Sequence, residues 1–213
     1  MQQPEHTPRG PSGVSRREFL KGSGAAAATA IAVGADAVAE AAPKKKEPKL
    51  FGSGTSQIIL QINTHAYLIQ VETRTTLLEV LRHQLSLTGA KPVDPAGLAG
   101  ASTVLLDDEP VNASTLLAIS CIGRTVTTAE GLVPKKPTDP PDPLLAAFVD
   151  HDASQCGFCT PGFVLAVKAF LKQNPRPSEE QVRAGLGGNL CRCGTYANII
   201  QAIGSLSKGS HHG

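Results

Sequence analysis

A chain of 213 residues with 41% apolar content is long enough for one domain or two small ones. Aromatic residues make up only 4% and tryptophan is absent, so a core must be built from Ala, Val, Leu and Ile. A formal charge of +2, with Lys44-Lys45-Lys46 as a short solvated run and no basic stripe carrying aromatics, gives no case for a nucleic-acid partner.

In chain order, Ser15-Arg16-Arg17-Glu18-Phe19-Leu20-Lys21 comes first, followed by a stretch rich in Ala and Gly. A paired-arginine head before a modest apolar run reads as a twin-arginine export signal over residues 1–41. Ala37-Val38-Ala39 and Ala39-Glu40-Ala41 offer small residues to a peptidase. Gly22, Gly24, Gly34 and Asp36 argue against a retained anchor, because a stable span needs about 20 strongly apolar residues. The expected mature protein is periplasmic and has no membrane span. The twin-arginine route carries passengers already folded in the cytoplasm, which suits a protein loaded with a cofactor before export.

Residues 42–56 read as a flexible leader. Residues 57–132 read as a small α+β domain. Gln57 to Ile62 and Tyr67 to Val71 alternate as strands around a turn at Asn63-Thr64-His65. Thr76 is placed to cap a helix through Leu77, Leu78, Val80, Leu81 and Leu85. Thr103 to Leu106 reads as a strand ending in an Asp107-Asp108-Glu109 turn. Five prolines mark residues 133–143 as a linker. Residues 144–208 carry a helical pattern. One helix runs from Leu144 to Asp150, and a second opens with Thr160 as N-cap and Pro161 as its first residue. A capping box, Ser178 to Gln181, starts a third, and Tyr196 to Leu206 forms a fourth.

Of the five cysteines, Cys121 stands alone in an apolar segment and reads as a small buried side chain. The other four form two tight pairs, Cys156-Gly157-Phe158-Cys159 and Cys191-Arg192-Cys193, at the ends of predicted helices. Such pairs converge on one point and suit metal better than cross-links. On spacing alone two chemistries compete, a tetrahedral zinc and a [2Fe–2S] cluster. His65, His83 and His151 are isolated, and His211 and His212 lie in a Gly- and Ser-rich end.

The wording around the cysteines goes further. Gln155-Cys156-Gly157-Phe158-Cys159-Thr160-Pro161-Gly162 and Gly188-Asn189-Leu190-Cys191-Arg192-Cys193-Gly194-Thr195-Tyr196 closely resemble the small iron–sulfur subunit of the molybdenum hydroxylases, the xanthine dehydrogenase, aldehyde oxidoreductase and isoquinoline oxidoreductase type enzymes. The likeness extends through Leu77 to Arg82, Leu87 to Lys91 and Thr128 to Leu132. It implies a β-grasp, plant-ferredoxin-like domain followed by a four-helix domain. It also implies one [2Fe–2S] cluster on Cys156, Cys159, Cys191 and Cys193, with Gln155 and Cys193 beside the pterin of a molybdopterin-binding large subunit. No catalytic residue is expected in this chain, which would relay electrons as part of an oxidoreductase.

The resemblance also exposes a departure. The family's first domain holds a second cluster through C-x₄-C-x₂-C and a later cysteine. The matching positions here are Asp94, Ala99, Ser102 and Ser114, while Gly97, Gly100 and Ala101 keep the register. Alanine has no donor atom, and hydroxyl and carboxylate are hard where a cluster prefers soft sulfur. The expectation is no metal in that domain, with an external electron acceptor or a haem subunit receiving electrons directly. The alternative function is a non-redox assembly module with a structural Cys₄ site.

Overall fold

The computed structural model describes residues 51–136 and 138–207, so the export-signal reading and His211 and His212 lie outside the described residues. The architecture is mixed α and β, with a five-stranded sheet and several helices. No helix among the described residues is long and apolar enough to cross a membrane.

Strands β1 (Thr55–Ile62) and β2 (His65–Glu72) alternate buried and exposed side chains along their length. They form an antiparallel hairpin closed by Asn63 and Thr64, with Ile62 opposite His65. Asn63 takes a left-handed backbone, φ 55°, which Asn tolerates because its side chain bonds locally. Its Oδ1 accepts the Thr128 N–H at 2.9 Å, fastening the hairpin to a segment 65 residues away. Helix α1 (Leu77–Glu79) starts with the expected cap: Thr76 Oγ1 accepts the Glu79 N–H, and Glu79 Oε2 accepts the Thr76 N–H at 2.7 Å.

Beyond α1 the structure departs from a regular helix. Val80–Gln84 form a π turn, in which the Leu85 N–H reaches back to the Val80 carbonyl at 3.2 Å. Leu77, Leu78, Val80 and Leu81 are all buried in the core of the sheet. Strands β3 (Thr103–Leu106) and β4 (Glu109–Asn112) form a second hairpin. Only Asp107 and Asp108 make its turn, with φ 52° and 70°, so Glu109 belongs to the strand rather than to the turn. A short fifth strand, β5 (Thr125–Thr127), runs parallel to β1 and antiparallel to β3, giving the order β2-β1-β5-β3-β4.

Helices α2 (Pro143–Asp150), α3 (Thr160–Gln173), α4 (Glu179–Gly185) and α5 (Tyr196–Ser207) follow. Asp142 caps α2 through the Leu144 N–H, so the helix begins at Pro143, one residue before the expected start. Its other oxygen holds Lys168 of α3 at 3.0 Å. The Ser178–Gln181 capping box forms as expected. Phe163, Val167, Leu144, Phe148, Ile199 and Ile203 bury together between the helices. Each such side chain, fully buried, contributes about 1.5–3 kcal/mol.

Strand β3 is buried at all four positions, because it is packed on both faces. Val104 and Leu106 face the core under α1, while Leu105 packs on Leu165 and Ala169 of α3. The sheet and the helices therefore share a small apolar seam.

Candidate metal centre

Both cysteine loops sit at helix ends, as expected. The first, residues 151–159, follows α2 and runs into α3. Cys159, rather than Thr160, is the residue that caps α3, and it does so without a side-chain bond. The Thr160 hydroxyl instead pairs with Ser154 Oγ at 2.9 Å, closing the loop across its base. Gly157 supplies the left-handed turn between the two cysteines, φ 78°. The second loop runs from Leu186 into α5, and Gly194 turns it just after Cys193, φ 83°. Asn198 of α5 donates to the carbonyls of His151 and Asp152 at 2.9 and 3.2 Å, tying one loop to the helix that follows the other.

The four thiols meet as two pairs, one sulfur of each loop in each. Cys156 neighbours Cys193, and Cys159 neighbours Cys191. Cys191 is buried and Cys159 half-buried, whereas Cys156 and Cys193 are exposed beside an exposed Gln155. Burial pushes the Cys159 thiol up, to about 12, and the proton it shares with Cys191 adds to the rise. Burial also works against ionisation of Cys191. It is outweighed there by hydrogen bonds from the Thr195 hydroxyl and N–H, the Cys159 thiol and the Gly194 N–H, and the thiol falls to about 7. The Phe158 N–H, followed by the Cys193 thiol, lowers Cys156, and the bond given to Cys156 raises Cys193.

The donor set is four soft sulfurs. Among the described residues no three thiol, imidazole or carboxylate groups converge on a single ion position. Two thiol pairs suit a group with two metal atoms, each taking two thiolates, better than one tetrahedral ion.

Two contacts of Cys191 are not apparent from cysteine spacing. Tyr196 Oη accepts the Cys191 N–H at 2.7 Å, and Thr195 Oγ1 lies 3.2 Å from Cys191 Sγ. The Tyr196 ring stands edge-on to the buried Phe163 at 6.0 Å, which fixes its hydroxyl. Asn189, 7% exposed, is a buried amide just ahead of the loop. Its place inside the Gly188–Tyr196 motif was the only signal in the sequence, and its burial is visible only in the fold.

The positions matching the family's other cysteines do not gather donors. Asp94 bonds to its own loop, accepting the Leu98 N–H at 2.8 Å and the Ala99 N–H at 3.1 Å. Ser102 and Ser114 bond to each other at 2.9 Å. Cys121 is fully buried, and burial raises its thiol to about 11.

Comparison with known proteins agrees with this geometry. Residues 128–204 match the family described as a [2Fe-2S] binding domain. Residues 13–33 match the TAT (twin-arginine translocation) pathway signal sequence, which directs the chain to the periplasm. The aldehyde oxidoreductase iron-sulfur-binding subunit PaoA of Escherichia coli is 35% identical over 206 residues, spanning 89% of this chain and 86% of that protein. The nicotine 6-hydroxylase small subunit of Paenarthrobacter nicotinovorans is 38% identical over 147 residues, 69% of this chain and 87% of its own. The crystal structure of quinoline 2-oxidoreductase from Pseudomonas putida 86 superposes with a TM-score of 0.68 at 35% identity, covering 73% of this chain and 96% of that one. The chain belongs to the iron–sulfur subunits of the molybdenum hydroxylase family.

Proposed function

We propose that the chain is the exported electron-transfer subunit of a molybdenum hydroxylase-like complex, with one [2Fe–2S] cluster held by Cys156, Cys159, Cys191 and Cys193. The observation that carries this reading is the convergence of the two cysteine loops, tied together through Asn198, inside the segment matched as a [2Fe-2S] binding domain. Residues 57–132 form a β-grasp, ferredoxin-like half without cluster ligands, residues 133–143 the link, and residues 144–208 a four-helix half that holds the cluster. The signal peptide is cleaved near Ala39 to Ala41.

Such a cluster, when bound, supplies storage for one electron at a time. The chain's own residues supply the setting. Thr195 and Tyr196 fix the sulfur and the backbone of Cys191. Cys156 and Cys193 stay exposed next to Gln155, the edge that a molybdopterin-binding large subunit would meet. Gln155 and Cys193 are assigned to that contact. Because Asp94, Ala99, Ser102 and Ser114 supply no thiolate, electrons leave to an external acceptor or a haem subunit. The large subunit travels with this chain, since the twin-arginine route moves folded passengers.

The test is to purify the native assembly and count iron, zinc, molybdenum and flavin per chain, with EPR of the reduced state. About two irons and one [2Fe–2S] signal per copy of this chain support the reading. One zinc and no reducible iron would replace it with the non-redox module, and two distinct diiron signals per chain would refute the single-cluster assignment. Replacing Arg16 and Arg17 should keep both subunits in the cytoplasm; a large subunit still exported would refute joint export.

A further inference from the structure

The loop that lacks the family's cysteines is not slack. Gly97 and Gly100 hold its two left-handed turns, φ 72° and 65°, around the Asp94 carboxylate. Asn112 Nδ2 anchors it to β4 through the Gly97 carbonyl at 2.9 Å. From there it reaches the second cysteine loop and the first turn of α3, into which the first cysteine loop runs. The Ala99 carbonyl accepts the Leu190 N–H at 3.0 Å, immediately before Cys191. The Gly100 carbonyl accepts Asn189 Nδ2 at 2.9 Å and Thr103 Oγ1 at 2.7 Å. On the other side it lies against Gly162, three residues after Cys159. A β-carbon on Gly162 would come within 2.4 Å of the Gly100 oxygen, and one on Gly100 within 2.4 Å of the Gly188 oxygen. Neither neighbour is a side chain that could swing away.

Asp94 is therefore two hydrogen bonds from the backbone next to Cys191: its carboxylate orders the Ala99 N–H, and the carbonyl of Ala99 orders Leu190. We propose that residues 94–102 act as a strap that fixes the two cysteine loops relative to each other, with Asp94 and Asn189 as positioning residues for the cluster. This deepens the functional reading above and rests on it. In this chain the first lost thiolate has become a carboxylate that folds the strap, and the strap serves the surviving cysteine site.

The experiment uses the full-length protein in its purified, iron-loaded assembly. Asp94→Ala, Asp94→Asn, Asn189→Ala and the Asp94→Ala/Asn189→Ala pair are compared with wild type, and Leu68→Ala on the exposed face of β2 serves as control. The readouts are the rate of iron loss to a chelator, the EPR line shape of the reduced state, and far-UV circular dichroism. Asp94→Ala and Asn189→Ala should each speed iron loss about tenfold and alter the EPR line shape, with helix content unchanged. Asp94→Asn, which keeps one acceptor oxygen, should recover part of the difference. The double variant should lose iron no faster than the faster single one, because both cut the same strap. Wild-type rates and spectra in both single variants, or rates that multiply in the double, would overturn the strap. Should Asp94→Ala fail to fold, Asn189→Ala decides by the same criteria. Wild-type protein without a [2Fe–2S] signal would sink the functional reading itself, whereas a normal wild-type signal with unaffected variants sinks only the strap.

Discussion

Leu105→Ala tests whether the sheet and the helices unfold as one body. Leu105 is 2% exposed and packs on Leu165 and Ala169 of α3, both of them buried. The substitution removes three carbons from a site with β-sheet on one side and helix on the other. At about 0.8 kcal/mol per buried methylene, the transfer loss is near 2.4 kcal/mol. The walls are backbone-anchored, so part of the void persists, and a total of about 3 kcal/mol follows, inside the usual range for such truncations. For a domain of this size that lowers Tm by about 6–12 °C. Thermal unfolding followed by far-UV circular dichroism, together with amide exchange in β3 and α3, reads the effect. Both elements should lose protection together, and Leu165→Ala should couple to Leu105→Ala by at least about 0.5 kcal/mol. A loss below about 1 kcal/mol, or a sheet that melts earlier while the helices keep their wild-type transition, would refute the shared seam.

Tyr196→Phe should leave the Cys191 N–H without its acceptor, costing about 0.5–1.5 kcal/mol and shifting the EPR signal of the reduced protein; an unchanged spectrum would show that the bond does not reach the metal site. Thr76→Ala should cost about 1 kcal/mol through loss of the α1 cap, read in a denaturant melt, and a loss within error would deny the cap its role. Chiefly the Thr76 N–H holds the Glu79 carboxyl below its ordinary 4.5. A carboxyl depressed in the fold adds stability above its unfolded value that disappears as pH falls through the folded value. Glu79→Gln should therefore flatten the decline of Tm below about pH 4.5, modestly, because the group is largely exposed, and an unaltered acid limb would contradict this. In iron-free protein at pH 8, iodoacetamide should modify the exposed Cys156 and Cys193 and leave Cys121 untouched until unfolding, as peptide mapping would report; early Cys121 labelling would contradict its burial.

The parts of this fold legible in the sequence are those governed by local rules. Alternation over Gln57 to Ile62 marked β1, the Thr76 cap marked α1, and the Ser178 to Gln181 capping box marked α4, because these residues satisfy their own helix ends. The cysteine pairs and the residues around them carried the family resemblance. What escaped depends on distant partners. Strand β4 contains Pro110, which only an edge position tolerates, and the sheet order was needed to know that it is an edge. Strand β5 has three residues and gains its place from β1 and β3 on either side. The π turn at Val80–Gln84 has no signature in the apolar spacing, which reads as an ordinary helix. Thr160 was a reasonable cap, but Ser154 claims its hydroxyl, and nothing local announces that competition. Asn189 and Tyr196 stood inside a quoted motif, yet their partners became visible only once Gly100 and Cys191 were placed in space.

Strand β1, which follows the export signal in sequence, is flanked on one side by its own hairpin partner and on the other by β5. Two of its eight residues, Gln61 and Ile62, therefore gain their second partners only after the ribosome has passed Val126. A truncated or still-growing polypeptide leaves the C-terminal end of β1 unpaired on that side, exposing its backbone groups.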